Sequence, residues 1–261
     1  MTSDVHCSAL CELLPWDSQF FHCRIAKVRS DTLTDEEATE VEEWVMAERV
    51  SGLYFLARAD CPASIQIAQN HGFALVDIRV TMEYEVANCG GRANGQANSS
   101  PVIIRPARAE DLAELQSIAR TAHVDSRFFS DSHFPRHLAE ELYRTWIRLE
   151  CEGRAQCVLV AISAADKALG YVSCHFDKKT RSGQIGLSGV SHEARGRGIG
   201  KNLVNAALEW FDRRGADKVI VATQGKNIAA QRLYQRCGFV IQDLQLWYHK
   251  WFHTPAATDG R

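Results

Sequence analysis

The sequence predicts an α/β fold in which apolar, strand-like runs alternate with amphipathic helices. In the second half of the chain, the run 184–190 leads through a glycine-rich turn into a helix, and the run 218–223 precedes a helix that ends near Gly238. Apolar residues recur at steps of three and four in the first helix, at Leu203, Val204, Ala207, Leu208 and Phe211. The 261 residues, 46% of them hydrophobic, are enough for one large or two small globular domains.

Composition limits the partners and the compartment. The formal net charge is −2, so no overall basic field favours nucleic acid. The first residues lack the features of a signal peptide and no apolar run reaches membrane-spanning length, so we expect a cytoplasmic protein without a membrane partner. Nine cysteines without a Cys-x-x-Cys pair indicate reduced, structural thiols. A metal site at His6, Cys7 and Cys11 is the less favoured interpretation, and we expect no metal.

The first half of the chain contains a segment that resembles one near the C-terminus. Residues 69–77 align without gaps with residues 235–243, and both segments contain Gly-Phe. Each follows a strand-like run, 54–58 in one case and 219–223 in the other. Apolar alternation after the first Gly-Phe predicts a half-buried strand, through Ile78, Val80, Met82 and Tyr84.

The alignment also indicates that the first copy is incomplete. Ala68 stands where Tyr234 stands in the second copy, and no glycine-rich turn precedes Ala68. We interpret residues 1–86 as a truncated, non-catalytic copy of the same sheet motif, which would extend the sheet and wall an acceptor pocket. Chance convergence on a helix, Gly-Phe and a strand is the alternative.

A change of composition separates the two halves. Residues 87–100 are small, polar and glycine-rich, which predicts a flexible linker. A short strand at 102–107 and a helix from Glu110 through Ala119 follow it. A second domain is therefore predicted over residues 101–253, with residues 254–261 as a disordered tail.

The turn 195–200, Arg-Gly-Arg-Gly-Ile-Gly, carries the strongest functional signal. Glycines between a strand and a helix leave the first-turn N–H groups of the helix available, and these groups favour an anion such as phosphate. Arg195 and Arg197 add positive charge. The spacing excludes a P-loop, because Asn202 follows Lys201, and the lysine also occupies the third glycine position of a dinucleotide fingerprint. A basic turn on a solvated surface is the alternative.

A second motif follows at Asn227-x-x-Ala230, with Tyr234 one turn later and Gly238-Phe239 after it. Asn227 is a good N-cap and Gly238 a good helix-ending residue. Seven residues separate Asn227 from Tyr234, so both project near one face of the helix.

Together the two motifs resemble the GCN5-related N-acetyltransferase (GNAT) superfamily. The segment Arg105-Pro106-Ala107-x-x-x-Asp111-Leu112 also resembles the usual start of such a domain. The resemblance implies the GNAT fold, a central mixed and twisted β-sheet flanked by helices, with a truncated GNAT-like half at residues 1–86. It also implies acetyl-CoA as co-substrate. The implied coenzyme-binding residues are Leu187, Gly189, Val190, Arg195, Gly196, Arg197, Gly198, Ile199, Gly200, Lys201, Asn227 and Ala230.

The implied chemistry is acyl transfer from a thioester to an amine. A backbone amide near Val190 would polarise the carbonyl, and Tyr234 would protonate the departing sulfur as the general acid. The alternative for Tyr234 is packing, or a hydrogen bond to the coenzyme. The sequence leaves the base open, because water would serve as well as any of Glu193, His192, His175 and Asp177.

Three further segments resemble the narrower family of dTDP-fucosamine (dTDP-4-amino-4,6-dideoxygalactose) acetyltransferases. They are 14–21, 126–147 and 221–234. This resemblance implies a dTDP-linked amino sugar as the acceptor and a homodimer. The implied acceptor-binding residues are Arg127, Phe128, Tyr143 and Trp146. Arg127 suits pairing with the diphosphate, and Phe128, Phe129 or Phe134 could stack on a pyrimidine or a sugar face.

The narrower resemblance has exceptions. Residues 133–137 and Gly238-Phe239 depart from that family's pattern, so a different acceptor is the alternative. Core packing is the alternative for Phe128 and Trp146. A protein, peptide or small-amine N-acetyltransferase remains a second reading of the whole chain, and a non-catalytic acyl-CoA sensor remains a third.

Overall fold

A computed structural model describes residues 9–86 and 102–252, and they fall into two compact units. The first unit combines residues up to Arg79 with those from Leu244 onward, and the second runs from Val80 to Asp243. The linker predicted at 87–100 and the tail predicted at 254–261 lie outside the described residues. The predicted domain boundaries therefore stay predictions.

Strands and helices alternate along the described chain, as the sequence predicts. The strands are β1 (Cys11–Leu13), β2 (Ile25–Val28), β3 (Gly52–Arg58), β4 (Ala74–Glu85), β5 (Ile103–Pro106), β6 (Cys157–Ile162), β7 (Ala168–Asp177), β8 (Ser182–Val190), β9 (Lys218–Gln224) and β10 (Val240–Trp251). The helices are α1 (Pro15–Phe21), α2 (Asp35–Ala47), α3 (Pro62–Asn70), α4 (Leu112–Ala122), α5 (Arg127–Ser130), α6 (Arg136–Leu149), α7 (Ile199–Asp212) and α8 (Ile228–Arg236).

The first unit is a small mixed sheet with helices. Strands β1, β2, β3 and the later part of β10 lie in that order; β2 and β3 are parallel, and the other two pairs are antiparallel. Helix α2 begins with a capping box, in which Thr34 accepts from the N–H of Glu37 and Glu37 accepts from the N–H of Thr34. Val41 and Val45 from this helix pack with Phe55 in the core of the unit.

The alternation predicted for β4 is wrong at its beginning. Val80 and Met82 are buried, as expected, but Ile78 is 38% exposed. Asp77 takes a buried position instead, and its carboxylate accepts a hydrogen bond from the N–H of Ile78 at 2.8 Å. The inward side of the strand therefore shifts by one residue between Asp77 and Val80, a change that apolar spacing alone does not reveal.

The second unit contains a larger mixed sheet in the order β4, β9, β8, β7, β6, β5. The pairs from β5 to β8 are antiparallel, and β8 and β9 are parallel. All five apolar positions predicted for α7 are buried. This confirms the predicted amphipathic helix.

Helices cover both faces of this sheet. A Cβ on Gly170 would come within 3.1 Å of Leu203 of α7. The next residue of β7, Tyr171, pairs with Gly189 of β8, and a Cβ on Gly189 would come within 3.1 Å of Ala122 of α4. Because successive residues of a strand point to opposite faces, α7 and α4 pack on opposite sides of β7 and β8. Helix α6 packs beside α4.

Candidate active site

The glycine-rich turn has a backbone geometry that favours glycine. Gly196 and Gly198 have φ angles of 76° and 77°, in the left-handed region. A Cβ at either position would meet no atom within 4 Å, so backbone conformation, and not lack of space, calls for glycine. Gly198 is the N-cap of α7, and the first helical bond joins the N–H of Asn202 to the oxygen of Gly198 at 3.0 Å. The N–H groups of the three residues between them therefore have no acceptor inside the helix.

Positive charge surrounds these N–H groups. Arg195, Arg197 and Lys201 are exposed, and Nε of Arg195 donates to the backbone oxygen of Val190 at 3.4 Å. The positive end of the dipole of α7 points the same way. The turn is thus suited to binding a phosphate or another anion.

One close contact joins α7 to α8, and a side-chain cap begins α8. A Cβ on Gly200 would lie 3.1 Å from Leu233, so glycine at this position lets the start of α7 approach α8 closely. The side chain of Asn227 accepts from the N–H of Ala230 at 3.1 Å, which confirms Asn227 as the N-cap of α8. The turn and the second motif therefore belong to one compact corner of the second unit.

Strands β8 and β9 separate beside this corner. Their parallel ladder pairs Ser182 through Ile185 with Lys218 through Val221. Within the described parts of the two strands, no later residues of β8 and β9 are paired with each other. The N–H of Ser191 donates to Leu169 on β7 at 2.9 Å. Because hydrogen-bonding direction alternates along an antiparallel strand, the N–H groups of Val190 and Ser188 point away from β7 and into the opening.

Tyr234 reaches the same opening from α8. Its hydroxyl oxygen lies 2.9 Å from Oγ of Ser188, and its side chain is only 3% exposed. Burial raises the pKa of Tyr234 above its ordinary value, although the hydrogen bond with Ser188 opposes the shift. The phenol therefore keeps its proton at neutral pH. Ser188 is absent from the residues predicted from the sequence, because a serine inside a strand gives no distinctive signal.

On the other face of the sheet, an aromatic cluster packs against Gly189. Nε2 of His123 lies 3.0 Å from the hydroxyl of Tyr171, and the His123 ring stacks on Tyr143 at 4.4 Å between centroids. A Cβ on Gly189 would come within 3.2 Å of the Tyr171 ring. Burial lowers the pKa of His123 to about 4, so its imidazole is neutral at physiological pH. No sequence pattern indicates His123 or Tyr171, because their contact joins distant parts of the chain.

The residues predicted for the acceptor join this cluster. The ring of Trp146 meets Tyr143 and Phe128 edge to face, at 5.2 and 5.9 Å. Phe128 is 3% exposed, which favours the packing interpretation for this residue. The guanidinium of Arg127 lies 4.2 Å above the Phe128 ring and is half-buried. Nearby, Nζ of Lys226 donates to a serine of α5, which brings a second cation to this helix.

The candidate bases are scattered. Asp177 pairs with Ser182 at the end of β8 farthest from Val190, so the structure does not bring Asp177 to the opening. His192 and Glu193 are exposed on a short 3₁₀ turn directly after β8. His175 lies with Nε2 2.6 Å from the carboxylate of Glu150, a buried residue that the sequence did not indicate.

The cysteines that the structure describes form no disulfide with one another. Those described are Cys11, Cys23, Cys61, Cys151, Cys157, Cys174 and Cys237. Within the described ranges, no group of three His, Cys, Asp or Glu residues could hold a metal ion. His6 and Cys7, which the metal interpretation requires, lie outside those ranges. Among residues 9–86 and 102–252, no helix combines the length and apolar character needed to cross a membrane.

Sequence comparisons identify similar proteins. The sequence model of the Acetyltransferase (GNAT) family matches residues 116–239. A dTDP-fucosamine acetyltransferase of Escherichia coli O6:H1 is 27% identical over 92% of this chain and 97% of that protein. The spore coat polysaccharide biosynthesis protein SpsD of Bacillus subtilis is 29% identical over 56% of this chain, and the match spans only 50% of SpsD. A mycothiol acetyltransferase of Stackebrandtia nassauensis is 26% identical over 78% of this chain and 65% of that protein.

Solved structures agree on the fold. A GCN5-related N-acetyltransferase from Sphaerobacter thermophilus superimposes with a TM-score of 0.66, over 92% of this chain and 76% of that one, at 18% identity. A tandem GNAT protein from the clavulanic acid biosynthesis pathway gives a TM-score of 0.60, over 87% and 75%, at 15% identity. The mixed sheet with helices on both faces is therefore the fold that the sequence motifs predict.

Proposed function

We propose that this chain, an N-acetyltransferase with a GNAT-family domain at residues 116–239, acetylates the amine of a dTDP-linked amino-dideoxy sugar. Acetyl-CoA, which the family uses, is the proposed acetyl donor. The observation that carries the acetyl-transfer part of the proposal is the contact between Tyr234 and Ser188 at the opening between β8 and β9, on the side of the sheet where α7 begins.

The residues of the turn fit the coenzyme. The three first-turn N–H groups of α7, with Arg195, Arg197 and Lys201 around them, would hold its phosphates. Gly196 and Gly198 leave the approach to these groups clear of side chains. Asn227 and Ala230 belong to the neighbouring helix start, and Leu187 and Gly189 belong to the opening. These residues are the proposed coenzyme site.

Groups of the chain would serve two steps of the reaction, the polarisation of the carbonyl and the protonation of the sulfur. Acetyl-CoA supplies the acetyl thioester. The N–H groups of Ser188 and Val190 would donate to the carbonyl oxygen as the amine nitrogen attacks the carbon. As the carbon–sulfur bond breaks, Tyr234 would give its proton to the sulfur, and the raised pKa of Tyr234 keeps that proton available. The amine proton would pass to water, since a neutral His123 with a pKa of about 4 is a weak base.

The acceptor proposal has two supports. One is similarity along 92% of the chain to an enzyme named for dTDP-fucosamine. The other is the aromatic cluster beside two cations, Arg127 and Lys226, at α5. In this proposal Arg127 contacts the diphosphate, and Tyr143 and Trp146 with Phe128 wall the sugar pocket.

A small amine is the second candidate acceptor. The similarity to mycothiol acetyltransferase, over 78% of this chain, favours it. Such an acceptor would use the same thioester site and would depend less on Arg127, because it would carry no diphosphate.

We also propose that the first half is a truncated copy of the GNAT sheet motif. The N–H of Phe73 donates to the oxygen of Ala68 at 2.9 Å, and the N–H of Phe239 donates to Tyr234 at 3.0 Å. Gly72 and the glycine before Phe239 both have positive φ angles. These equivalent bonds support the alignment of Ala68 with Tyr234.

A cytoplasmic homodimer is the proposed state of the protein.

The test is direct. Purified protein is mixed with acetyl-CoA and a panel of dTDP-4-amino and dTDP-3-amino-dideoxyhexoses, together with small amines, and the products are followed by mass spectrometry. We expect one sugar nucleotide to gain a single acetyl group. Acetylation of small amines alone would favour the second candidate, and acetyl-CoA binding without any product would contradict both and leave an acyl-CoA sensor.

A further inference from the structure

A β-bulge interrupts β8 at the point where it leaves β9. In the ladder with β7, Val172 pairs with Ser188 and Cys174 pairs with Ile185, so two residues of β8 lie opposite Ser173 alone. Those two residues are Gly186 and Leu187. A bulge of this kind adds one residue to a strand and changes the face to which the following side chains point.

Two glycines of β8 demonstrate the change of face. Gly183 and Gly189 are six residues apart and would share a face in a regular strand. A Cβ on Gly183 would meet Phe211 of α7, whereas a Cβ on Gly189 would meet Ala122 of α4 on the opposite face. Ser188 therefore faces the side of α7 and α8, and its hydroxyl reaches Tyr234 because of the bulge.

A buried polar network holds the bulge. The N–H of Leu187 donates to Oγ of Ser173 at 2.7 Å, and Ser173 is fully buried. Glu150, 6% exposed, accepts from Ser173 and lies 2.6 Å from Nε2 of His175. Gly186 leaves room for this network, since a Cβ there would lie 2.7 Å from Oγ of Ser173.

Glu150 is itself placed by an unusual backbone turn. Helix α6 ends in a π-helical turn over Glu150–Arg154, in which Gly153 has a φ angle of 110°. Such turns change the direction of a side chain relative to the regular helix. Although burial alone would raise it, the bonds from His175 and Ser173 hold the pKa of Glu150 below its usual range. The carboxylate thus stays ionised and accepts strongly.

We propose that Ser173 and Glu150 are positioning residues for the acetyl transfer. Oγ of Ser173 accepts a hydrogen bond from the N–H of Leu187, which the bulge displaces from the strand ladder, and the Ser173 hydroxyl donates to Glu150. These two bonds hold the bulge in one geometry. That geometry turns the hydroxyl of Ser188 toward Tyr234 and the N–H of Val190 into the opening. The consequence for catalysis rests on the proposed function.

The experiment compares Ser173→Ala with Ser182→Ala, which removes a hydroxyl from the same strand pair at its other end. We expect Ser173→Ala to lower kcat by about 10- to 100-fold while the KM for acetyl-CoA changes by less than about threefold. Ser182→Ala should behave as the wild type, and Ser173→Thr, which keeps a hydroxyl, should recover most of the loss. If Ser173→Ala does not fold, Glu150→Gln is measured in its place. Its amide oxygen still accepts from Ser173, so we expect a smaller loss of kcat than in Ser173→Ala.

Two readouts separate this proposal from the acceptor proposal. Acetyl-CoA labelled with carbon-13 at the carbonyl reports polarisation without any acceptor, and its bound resonance should move toward the free position in Ser173→Ala. Hydrogen exchange at the Leu187 amide should become faster in the same variant. A wild-type kcat, carbonyl resonance and Leu187 exchange rate in Ser173→Ala would overturn the inference. A protein that binds acetyl-CoA and shows these changes, but acetylates no sugar, would overturn only the acceptor.

Discussion

The hydroxyl of Tyr234, on α8, lies 2.9 Å from Oγ of Ser188, on β8. The two residues are 46 positions apart in the sequence, and the bulge in β8 brings them together. Ser188 is one residue from Gly189, which packs on the aromatic cluster of the opposite face. Adjacent residues of one strand thus connect the proposed general acid with the proposed acceptor pocket.

Replacing Tyr234 with Phe tests the general acid. The variant keeps the ring that packs on Phe239 at 5.6 Å and loses only the hydroxyl. We expect kcat to fall by about 100-fold with little change in the affinity for acetyl-CoA, because proton transfer to sulfur would be lost. Tyr84→Phe removes a hydroxyl from the other aromatic neighbour of Phe239 and is the control. Unchanged turnover in Tyr234→Phe would leave Tyr234 a packing role only.

Gly198→Ala tests the coenzyme turn. An alanine with a φ angle near 77° costs about 1–2 kcal/mol, so we expect the turn to relax and displace its N–H groups. Affinity for acetyl-CoA, measured by calorimetry, should fall by about tenfold, or about 1.4 kcal/mol.

Gly215→Ala is the matched control for this change. Gly215 follows α7, has a φ angle of 75°, and a Cβ there would also meet no atom within 4 Å. Both variants should lower the Tm, but only Gly198→Ala should weaken binding. Equal affinities in the two variants would contradict the phosphate role of the turn.

Arg127→Ala tests the diphosphate contact. Hydrogen bonds to charged groups contribute about 1.5–3 kcal/mol, so the KM for a sugar nucleotide should rise by about 10- to 100-fold. The KM for acetyl-CoA should stay constant. Arg120→Ala, at an exposed position near the end of α4, controls for the loss of one positive charge. A small amine acceptor would show no such increase, which distinguishes the two candidate acceptors.

His123 predicts a dependence of stability on pH. Its pKa is about 4 in the folded protein and about 6.5 in an unfolded chain. Between these values the unfolded state binds more protons, so the free energy of unfolding falls as the pH is lowered from 6.5 to 4. His123→Gln keeps a hydrogen-bonding side chain for Tyr171 but does not titrate. In thermal melts, the Tm of this variant should fall less than that of the wild type as the pH is lowered from 6.5 to 4. An equal fall in both proteins would assign the loss of stability to other groups.

Features encoded by neighbouring residues could be predicted from the sequence. The available N–H groups at the start of α7, the apolar face of α7 and the cap at Asn227 follow from residue types at short spacing, and the structure confirms each of them. The bulge could not be predicted, because one additional residue in a strand leaves no local pattern. His123 and Tyr171 meet only through the packing of α4 on β7, and Ile78 is exposed because Asp77 takes the inward position.

The cysteine content matters for an enzyme that handles a thioester. A thiolate attacks acetyl-CoA readily, so exposed, ionised cysteines would acetylate themselves. Burial raises the pKa of Cys237, three residues after Tyr234, to about 11, and burial together with nearby carboxylates raises that of Cys151 to about 11. At neutral pH, about one thiol in ten thousand is then ionised at these positions. If the chain binds acetyl-CoA as proposed, these two thiols would therefore compete poorly for its acetyl group.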